Sequence, residues 1–355
     1  MNKDVYKPVF FRLNVTKEKQ QYKLLLESNP SIQIFDEIEG QLRELIKSLN
    51  PSIKIKPEDY PELVKKHIGN QSLLEYGVWV YYPWNNHLIH LLDEEEFIEV
   101  RTNRNRNKIT KEEQQLLRTK KIGIVGLSVG QSIALTIAME RICGELRLAD
   151  FDIAELSNIN RLRTSLHNLG IKKTIISARE ILEIDPFIKV EIFNEGLHKD
   201  NMDNFFNKDG KLDLYIEVCD SINIKIDSRF KARELGIPVV MDTNDRGMLD
   251  VERFDLEPQR DIFHGLINSY LKDNNIPLDT NIIKMLMDLV SFESASERLK
   301  LSMNEIGKTI TTWPQLASSV VLGGSITTDI SRKILLNQHF KSGRYYIDLD
   351  KLLDT

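Results

Sequence analysis

Apolar residues change their spacing along this chain near residue 100, and the change separates two kinds of sequence. Between Ile38 and Leu49 they recur at helical intervals, which predicts an amphipathic helix, whereas Gly77 to Trp84 and Leu88 to Leu92 read as β-rich segments. Beyond residue 120, short apolar runs alternate with helical patterns. Strands are predicted at Lys121–Val125, Glu145–Ala149, Lys189–Phe193, Leu212–Val218 and Pro238–Met241, and helices at Gln131–Arg141, Lys172–Ile184 and Ser221–Leu235. Thr110 and Glu113 have capping-box spacing, so a short helix should lead into the first of these strands. Pro186 and Gly236-Ile237-Pro238 stop helices ahead of strands. Strands that alternate with helices pack as a parallel sheet covered by helices. The expected fold is therefore α/β, a doubly wound and mainly parallel sheet, with an N-terminal accessory α+β region over residues 1–100 and the sheet domain over 101–355. Late in the chain, Leu316 to Leu336 predicts a helix of small residues and Gly343 to Leu349 an edge strand, while Trp313 is expected in the core.

Composition narrows the class. With 28% charged and 41% hydrophobic residues, no apolar run reaches the roughly 18 residues that crossing a bilayer requires. The segment Met1 to Phe10 has no secretory apolar core, so a cytoplasmic location without membrane contact is expected. A net charge of −5 argues against a general nucleic-acid platform, although Arg101, Arg104, Arg106 and Lys108 form a local basic cluster. Cys143 and Cys219 are the only cysteines, which leaves no disulfide framework and no four-cysteine zinc site.

The stretch Ile124-Val125-Gly126-Leu127-Ser128-Val129-Gly130-Gln131 joins a buried strand to a helix. Backbone N–H groups and the helix dipole favour a phosphate at such a junction. The turn departs from the dinucleotide fingerprint, since Ser128 and Gln131 occupy the second and third glycine positions and Gly130 lies between them. Asp150 ends the next strand, about 20 residues past the turn, where a carboxylate accepts from ribose hydroxyls. A nicotinamide- or flavin-dependent oxidoreductase would share these two features. The residues beyond Asp150 do not suit one: Asp152, then Ser157-Asn158-Ile159-Asn160-Arg161, then Gly170-Ile171-Lys172-Lys173.

This D-x-D, S-N-x-x-R, G-x-x-K series resembles the ThiF, MoeB and ubiquitin-activating superfamily of adenylating enzymes on a Rossmann-like sheet, over roughly residues 101–260. The resemblance implies that Gly126, Ser128 and Gly130 cradle ATP, that Asp150 holds the ribose and Asp152 orients its loop, and that Asn158, Arg161 and Lys173 contact the triphosphate. It assigns Asp220, after the strand ending near Val218, to Mg²⁺, although Asp220 also stands where it would cap the next helix. It further implies a homodimer in which Arg104, within Arg101-Thr102-Asn103-Arg104, reaches the partner's triphosphate, with Arg106 in reserve.

The implied reaction is attack of a substrate carboxylate on the α-phosphorus of ATP, giving an acyl-adenylate and pyrophosphate. Fixed cations would stabilise the departing charge. The substrate class is a carboxylate-bearing molecule: a peptide, a ubiquitin-like protein with a free C-terminus, or a small molecule. Many relatives go on to a cysteine thioester and carry zinc-binding Cys-x-x-Cys pairs; Cys143 and Cys219 lie in or beside predicted strands and read as packed side chains, so neither feature is expected. A non-catalytic nucleotide-binding module remains the second alternative, motivated by Ser128 and Gln131. In the loop Met241 to Gly247, Arg246 is open between attracting a substrate carboxylate and pairing locally.

Overall fold

The computed structural model describes residues 3–272, 276–277, 280–289, 292 and 295–353, in two compact units. The first comprises residues 1–112 with 185–187, the second 113–184 with 188–355.

In the first unit the elements run β1 (Val9–Phe11), α1 (Thr16–Ser28), β2 (Gln33–Asp36), α2 (Ile38–Leu49), α3 (Tyr60–Ile68), β3 (Val78–Tyr82), β4 (His87–Leu91) and α4 (Glu94–Arg101). The four strands form one sheet in the order β1-β3-β4-β2, antiparallel except where β2 joins β4. The helical period from Ile38 buries Leu42, Leu45 and Ile46 against Val64 and Leu92. All four residues of the edge strand β2 are exposed. The ring of His90 is buried and stacks on Trp79 at 4.1 Å, one nitrogen bonded to Asp36 and the other to the Tyr76 carbonyl.

Helix α5 (Lys111–Leu117) spans the boundary between the units. The second unit then runs β5 (Lys121–Val125), α6 (Gly130–Glu140), β6 (Glu145–Ala149), α7 (Lys173–Ile184), β7 (Lys189–Phe193), α8 (Lys199–Asn207), β8 (Leu214–Glu217), α9 (Ile222–Glu234), β9 (Val239–Asp242), β10 (Met248–Glu252), α10 (Ile282–Leu289), α11 (Glu297–Met303), α12 (Ala317–Leu335), β11 (Gly343–Tyr346) and α13 (Leu349–Leu353). Its seven-stranded sheet has the order β11-β10-β9-β8-β5-β6-β7. The strands from β9 to β7 are parallel, and β10 and β11 add an antiparallel margin. The mixed α/β fold with a mostly parallel sheet is thus the one the alternation predicts. Several elements escaped the pattern, among them α8, whose polar text Lys199-Asp200-Asn201 hides its apolar face Met202, Phe205 and Phe206, β10, and the late helices α10, α11 and α13.

Strand order reverses between β5 and its neighbours β6 and β8, so the turn after β5 opens at the switch point, where such sheets receive ligands. A Cβ on Gly126 would stand 2.6 Å from the Val218 carbonyl oxygen and 2.7 Å from the Cys219 nitrogen, and its φ of +89° suits glycine alone. On the other side of the turn, α12 lies against α6 and β9, with Gly323 directly over the Asp242 carboxylate. Trp313, just ahead of α12, is 47% exposed rather than in the core: its segment runs over the surface, tied down where the Gln315 carbonyl accepts from Asn160.

Candidate active site

The glycine turn is held by the residue proposed to read a ribose. The Leu127 N–H donates to Asp150 Oδ2 at 2.6 Å and the Asp152 N–H to Asp150 Oδ1 at 2.8 Å, which pins the turn after β5 to the end of β6. Burial raises the Asp150 pKa, against these two N–H groups and the field of Lys173. Each carboxylate oxygen retains a second lone pair, so Asp150 can still accept from a ligand hydroxyl. Asp152 faces the next residue in the series: its Oδ2 lies 2.8 Å from Lys173 Nζ, and its carbonyl accepts from the Lys173 N–H at 3.0 Å. Lys173 is buried at the start of α7. Neighbouring Lys172 instead caps the Phe151 carbonyl from the surface.

Asn158 closes a short helical turn, Leu156–Asn158, by a reciprocal pair with Glu155; its Oδ1 accepts the Glu155 N–H at 3.1 Å. The Asn158 carbonyl in turn accepts from Arg161 and Leu162, so this turn orients the arginine. Arg161 Nε donates to Ser128 Oγ at 3.0 Å. The serine that replaces a fingerprint glycine therefore docks the arginine of the crossover segment onto the glycine turn. Burial lowers the Arg161 pKa, and the field of Asp220 opposes that change. Asp220 itself is exposed, just beyond β8.

Gln131 is buried and spans two segments. Its Nε2 donates to the Arg163 carbonyl at 3.0 Å and to Glu180 Oε2 at 2.6 Å, and its Oε1 accepts the Arg163 N–H at 2.9 Å. Burial pushes the Glu180 carboxyl up to about 8.

Beneath the end of β8 lies an ion network that the sequence reading missed. Glu217 and Arg229 are fully buried; Arg229 Nη1 bonds Glu217 Oε2 at 2.6 Å, and Lys225 Nζ bonds both Glu217 oxygens at 2.9 and 3.0 Å. Arg229 Nε reaches Glu252 Oε2 at 2.7 Å, and its guanidinium sits 3.9 Å over the Phe263 ring. Burial alone would raise the Glu217 pKa, but Lys225 and Arg229 hold it below the ordinary value. The visible signal was a charge closing the apolar run Leu214-Tyr215-Ile216.

Gly126, Ser128, Gly130, Asp150, Asp152, Asn158, Arg161, Lys173 and Asp220 thus belong to connected segments at the carboxyl ends of β5, β6 and β8. Arg104 belongs to the first unit, exposed on the turn Asn103–Asn105; Arg106 there pairs with Glu99. Arg246 is taken up by Asp348 at 2.6 Å, and Asp245 by Ser296, so partners distant in sequence account for both. Cys143 is buried, and burial pushes the Cys219 thiol up, which disfavours a thiolate at Cys219.

A glycine turn at a switch point, a carboxylate ending the second strand and a basic crossover segment define a doubly wound α/β domain with a candidate nucleotide site. The chain belongs to the ThiF family, whose model matches residues 102–315. The uncharacterized protein MT1398 of Mycobacterium tuberculosis is 39% identical over 330 residues, 93% of this chain and 44% of that protein. Ubiquitin-like modifier-activating enzyme 5 of Caenorhabditis elegans is 26% identical over 122 residues, 32% of this chain and 29% of that protein. The chain therefore spans less than half the length of these relatives. Among solved structures, Escherichia coli tRNA N6-threonylcarbamoyladenosine dehydratase in complex with AMP covers 70% of this chain and 98% of its own, with 17% identity and a TM-score of 0.50, a likeness of fold.

Proposed function

We propose that the chain is an ATP- and Mg²⁺-dependent adenylyltransferase that activates a substrate carboxylate as its acyl-adenylate, releasing pyrophosphate. The observation that carries this reading is the placement of Arg161, docked on Ser128 of the turn after β5, with Asp220 just beyond the neighbouring strand β8. A dehydrogenase needs a dinucleotide seat and has no use for a cation and a metal-type carboxylate gathered at that point.

In this reading the turn from Gly126 to Gly130 receives the phosphates, Asp150 accepts from the ribose, and Asn158, Arg161 and Lys173 neutralise the triphosphate as negative charge moves onto pyrophosphate. Arg161 and Lys173 act as fixed cations and no proton need pass through them. One substrate carboxylate oxygen forms a bond to the α-phosphorus while the bond to the β-phosphate bridging oxygen breaks. Among the described residues no group of three or more histidine, cysteine or acidic side chains forms a protein-only metal cage. The donor set at Asp220, one exposed carboxylate beside a phosphate seat, suits Mg²⁺, which takes one or two carboxylates and completes its shell with phosphate oxygens and water. Bound there, the ion would screen the phosphates and polarise the reacting phosphoryl group.

The substrate proposed is a carboxylate-bearing peptide or small-protein C-terminus, with a small molecule as the other member of the class, and the acyl group passes to its acceptor without an enzyme thioester. The exposed edge strand β2 supports the peptide form, because such an edge can pair with an extended segment. We further propose a cytoplasmic homodimer in which Arg104 of each chain serves its partner's triphosphate. Among the described residues no helix is long and apolar enough to cross a membrane.

Substrate-dependent exchange of labelled pyrophosphate into ATP, run over candidate peptides, tests this proposal. Exchange should appear with one substrate class and fall at least about 100-fold in Arg161→Ala, as expected when a fixed cation at a developing charge is removed. ATP binding without exchange for any carboxylate would identify a non-catalytic module, and tight NAD or FAD binding would replace the reading altogether.

A further inference from the structure

The buried ion network under β8 makes no contact that the adenylation chemistry calls for, and burying it is costly. Ion pairs in a protein core offset their desolvation poorly, and apolar side chains of similar volume often serve stability as well. Glu217 is 0% exposed, as is Arg229. One bond of Glu217, however, cannot be replaced by an apolar side chain: its Oε1 accepts the N–H of Cys219 at 2.9 Å.

That N–H sits where the chain leaves the sheet. The Val218 N–H makes the final bond to β5, donating to the Val125 carbonyl at 2.9 Å. The next peptide, from the Val218 carbonyl to the Cys219 nitrogen, lies against the bare Cα of Gly126. Two residues past Val218 stands Asp220. Any rotation of the 218–219 peptide would therefore turn the Asp220 carboxylate and press on the phosphate turn together. The anchor for that peptide is held directly by two cations, one of which also pairs deeper in the core. Lys225 and Arg229 grip Glu217; Arg229 is gripped by Glu252, and Glu252 Oε1 accepts the Phe263 N–H. Phe263 and His264 are both held at positive φ, +50° and +57°, a conformation that persists in such residues only where the surroundings impose it.

We propose that Glu217 is a positioning residue of the site: clamped between Lys225 and Arg229, its carboxylate holds the Cys219 N–H and so sets the direction in which Asp220 presents its carboxylate to the divalent ion. The proposal rests on the assignment of Asp220 above and adds to it the group that orients it, as outer partners orient metal-binding carboxylates elsewhere.

The test compares Glu217→Gln with Asp220→Ala and Glu252→Gln in the full chain. In Glu217→Gln, one oxygen becomes an NH₂ group. Charge favours turning the remaining oxygen towards Arg229 and Lys225, which leaves the NH₂ facing the Cys219 N–H, donor against donor. Glu252→Gln weakens the same network without touching Cys219. ATP affinity is measured by calorimetry with and without Mn²⁺, and Mn²⁺ bound in the ternary complex is read by its electron paramagnetic resonance signal. Thermal unfolding reports the fold of each variant. Wild type should bind ATP more tightly with Mn²⁺, and Asp220→Ala should lose that gain. Glu217→Gln should weaken Mn²⁺ binding by on the order of 10–100-fold, the usual effect of removing an outer partner, while metal-free ATP affinity stays within about twofold. Glu252→Gln should lower the melting temperature yet keep the Mn²⁺ gain.

Equal Mn²⁺ gain in Glu217→Gln and wild type, with Asp220→Ala defective, overturns the positioning role and leaves the Asp220 assignment standing. Equal losses in Glu217→Gln and Glu252→Gln also overturn it, since both would then reflect weakened packing. A wild type with no Mn²⁺ gain, or an Asp220→Ala that keeps it, removes the metal reading itself and the proposal with it.

Discussion

Replacing Asp242 by asparagine probes how α12 is seated beside the nucleotide turn. Asp242 ends β9, is 5% exposed, and accepts the Asn244 N–H on Oδ1 at 3.0 Å. Its Oδ2 is buried without a hydrogen-bond partner, directly under Gly323 of α12. Burial pushes its pKa up from 3.8 to about 7, against the Asn244 N–H. Between about pH 4 and pH 7 the unfolded chain has released this proton while the native state keeps it, so the native state binds more protons and stability falls as pH rises through that window. A rise of that size corresponds to roughly 4 kcal/mol, present below the window and lost above it. An asparagine side chain at this position would keep the acceptor for Asn244 and remove the charge. Asp242→Asn should therefore exceed wild type by about 1–2 kcal/mol at pH 5 and by about 4 kcal/mol at pH 8, so the gap widens by roughly 2–3 kcal/mol across that range. Urea denaturation at intervals between pH 5 and pH 8 measures both curves. The informative quantity is their difference, because Glu180, raised to about 8 by burial, tilts both alike. Parallel curves across the range would refute the claim that Asp242 carries the charge penalty.

Two further substitutions test how the phosphate turn is built. Gly126→Ala imposes a positive φ on alanine, which costs on the order of 1–3 kcal/mol, and drives a methyl into the 218–219 peptide; ATP affinity measured by calorimetry should fall by more than about tenfold, since the turn and the Asp220 segment cannot both hold position. Gln131→Ala leaves the N–H and carbonyl of Arg163 without their partner, at about 1–3 kcal/mol each where burial persists. The melting temperature should drop, and ATP affinity should drop with it because Arg161 loses its anchored neighbour; unchanged ATP affinity would show that Arg161 is placed by Ser128 alone.

From β5 to β9 the strands and most of the helices between them were legible because each apolar run is short, bounded, and repeated at βαβ spacing. Lys121–Val125, Glu145–Ala149 and Lys189–Phe193 carry their bounds on the surface of the text. Helix α8 was not legible, since its apolar positions Met202, Phe205 and Phe206 number too few to set a period among polar neighbours. The antiparallel β10 reads as acidic, Met248-Leu249-Asp250-Val251-Glu252, because Asp250 is paired with Arg344 and His264, and Glu252 with Arg229. Pairing across a fold is invisible to a local pattern. The same limit hid Glu217, and it left Arg246 undecided until Asp348, more than a hundred residues later, proved to be its partner.

Site residues show a similar division. Their order along the chain nominated the candidate side chains, while their bonding shows how much of each is committed to architecture. Asp150 already accepts two backbone N–H groups, Asn158 closes a capping pair, and Lys173 is bonded to Asp152. None of these is an idle group awaiting a ligand; each builds the seat that it would also line. The two departures from the glycine fingerprint then acquire a common explanation. A glycine at 128 would offer Arg161 no hydroxyl, and one at 131 would offer Arg163 neither donor nor acceptor. Ser128 and Gln131 together fasten residues 161–163 to the turn and to the first helical residues after it. The loss of two glycines, which on sequence alone weakened the case for a nucleotide site, is in the folded chain what draws a cation to the turn proposed to receive the phosphates.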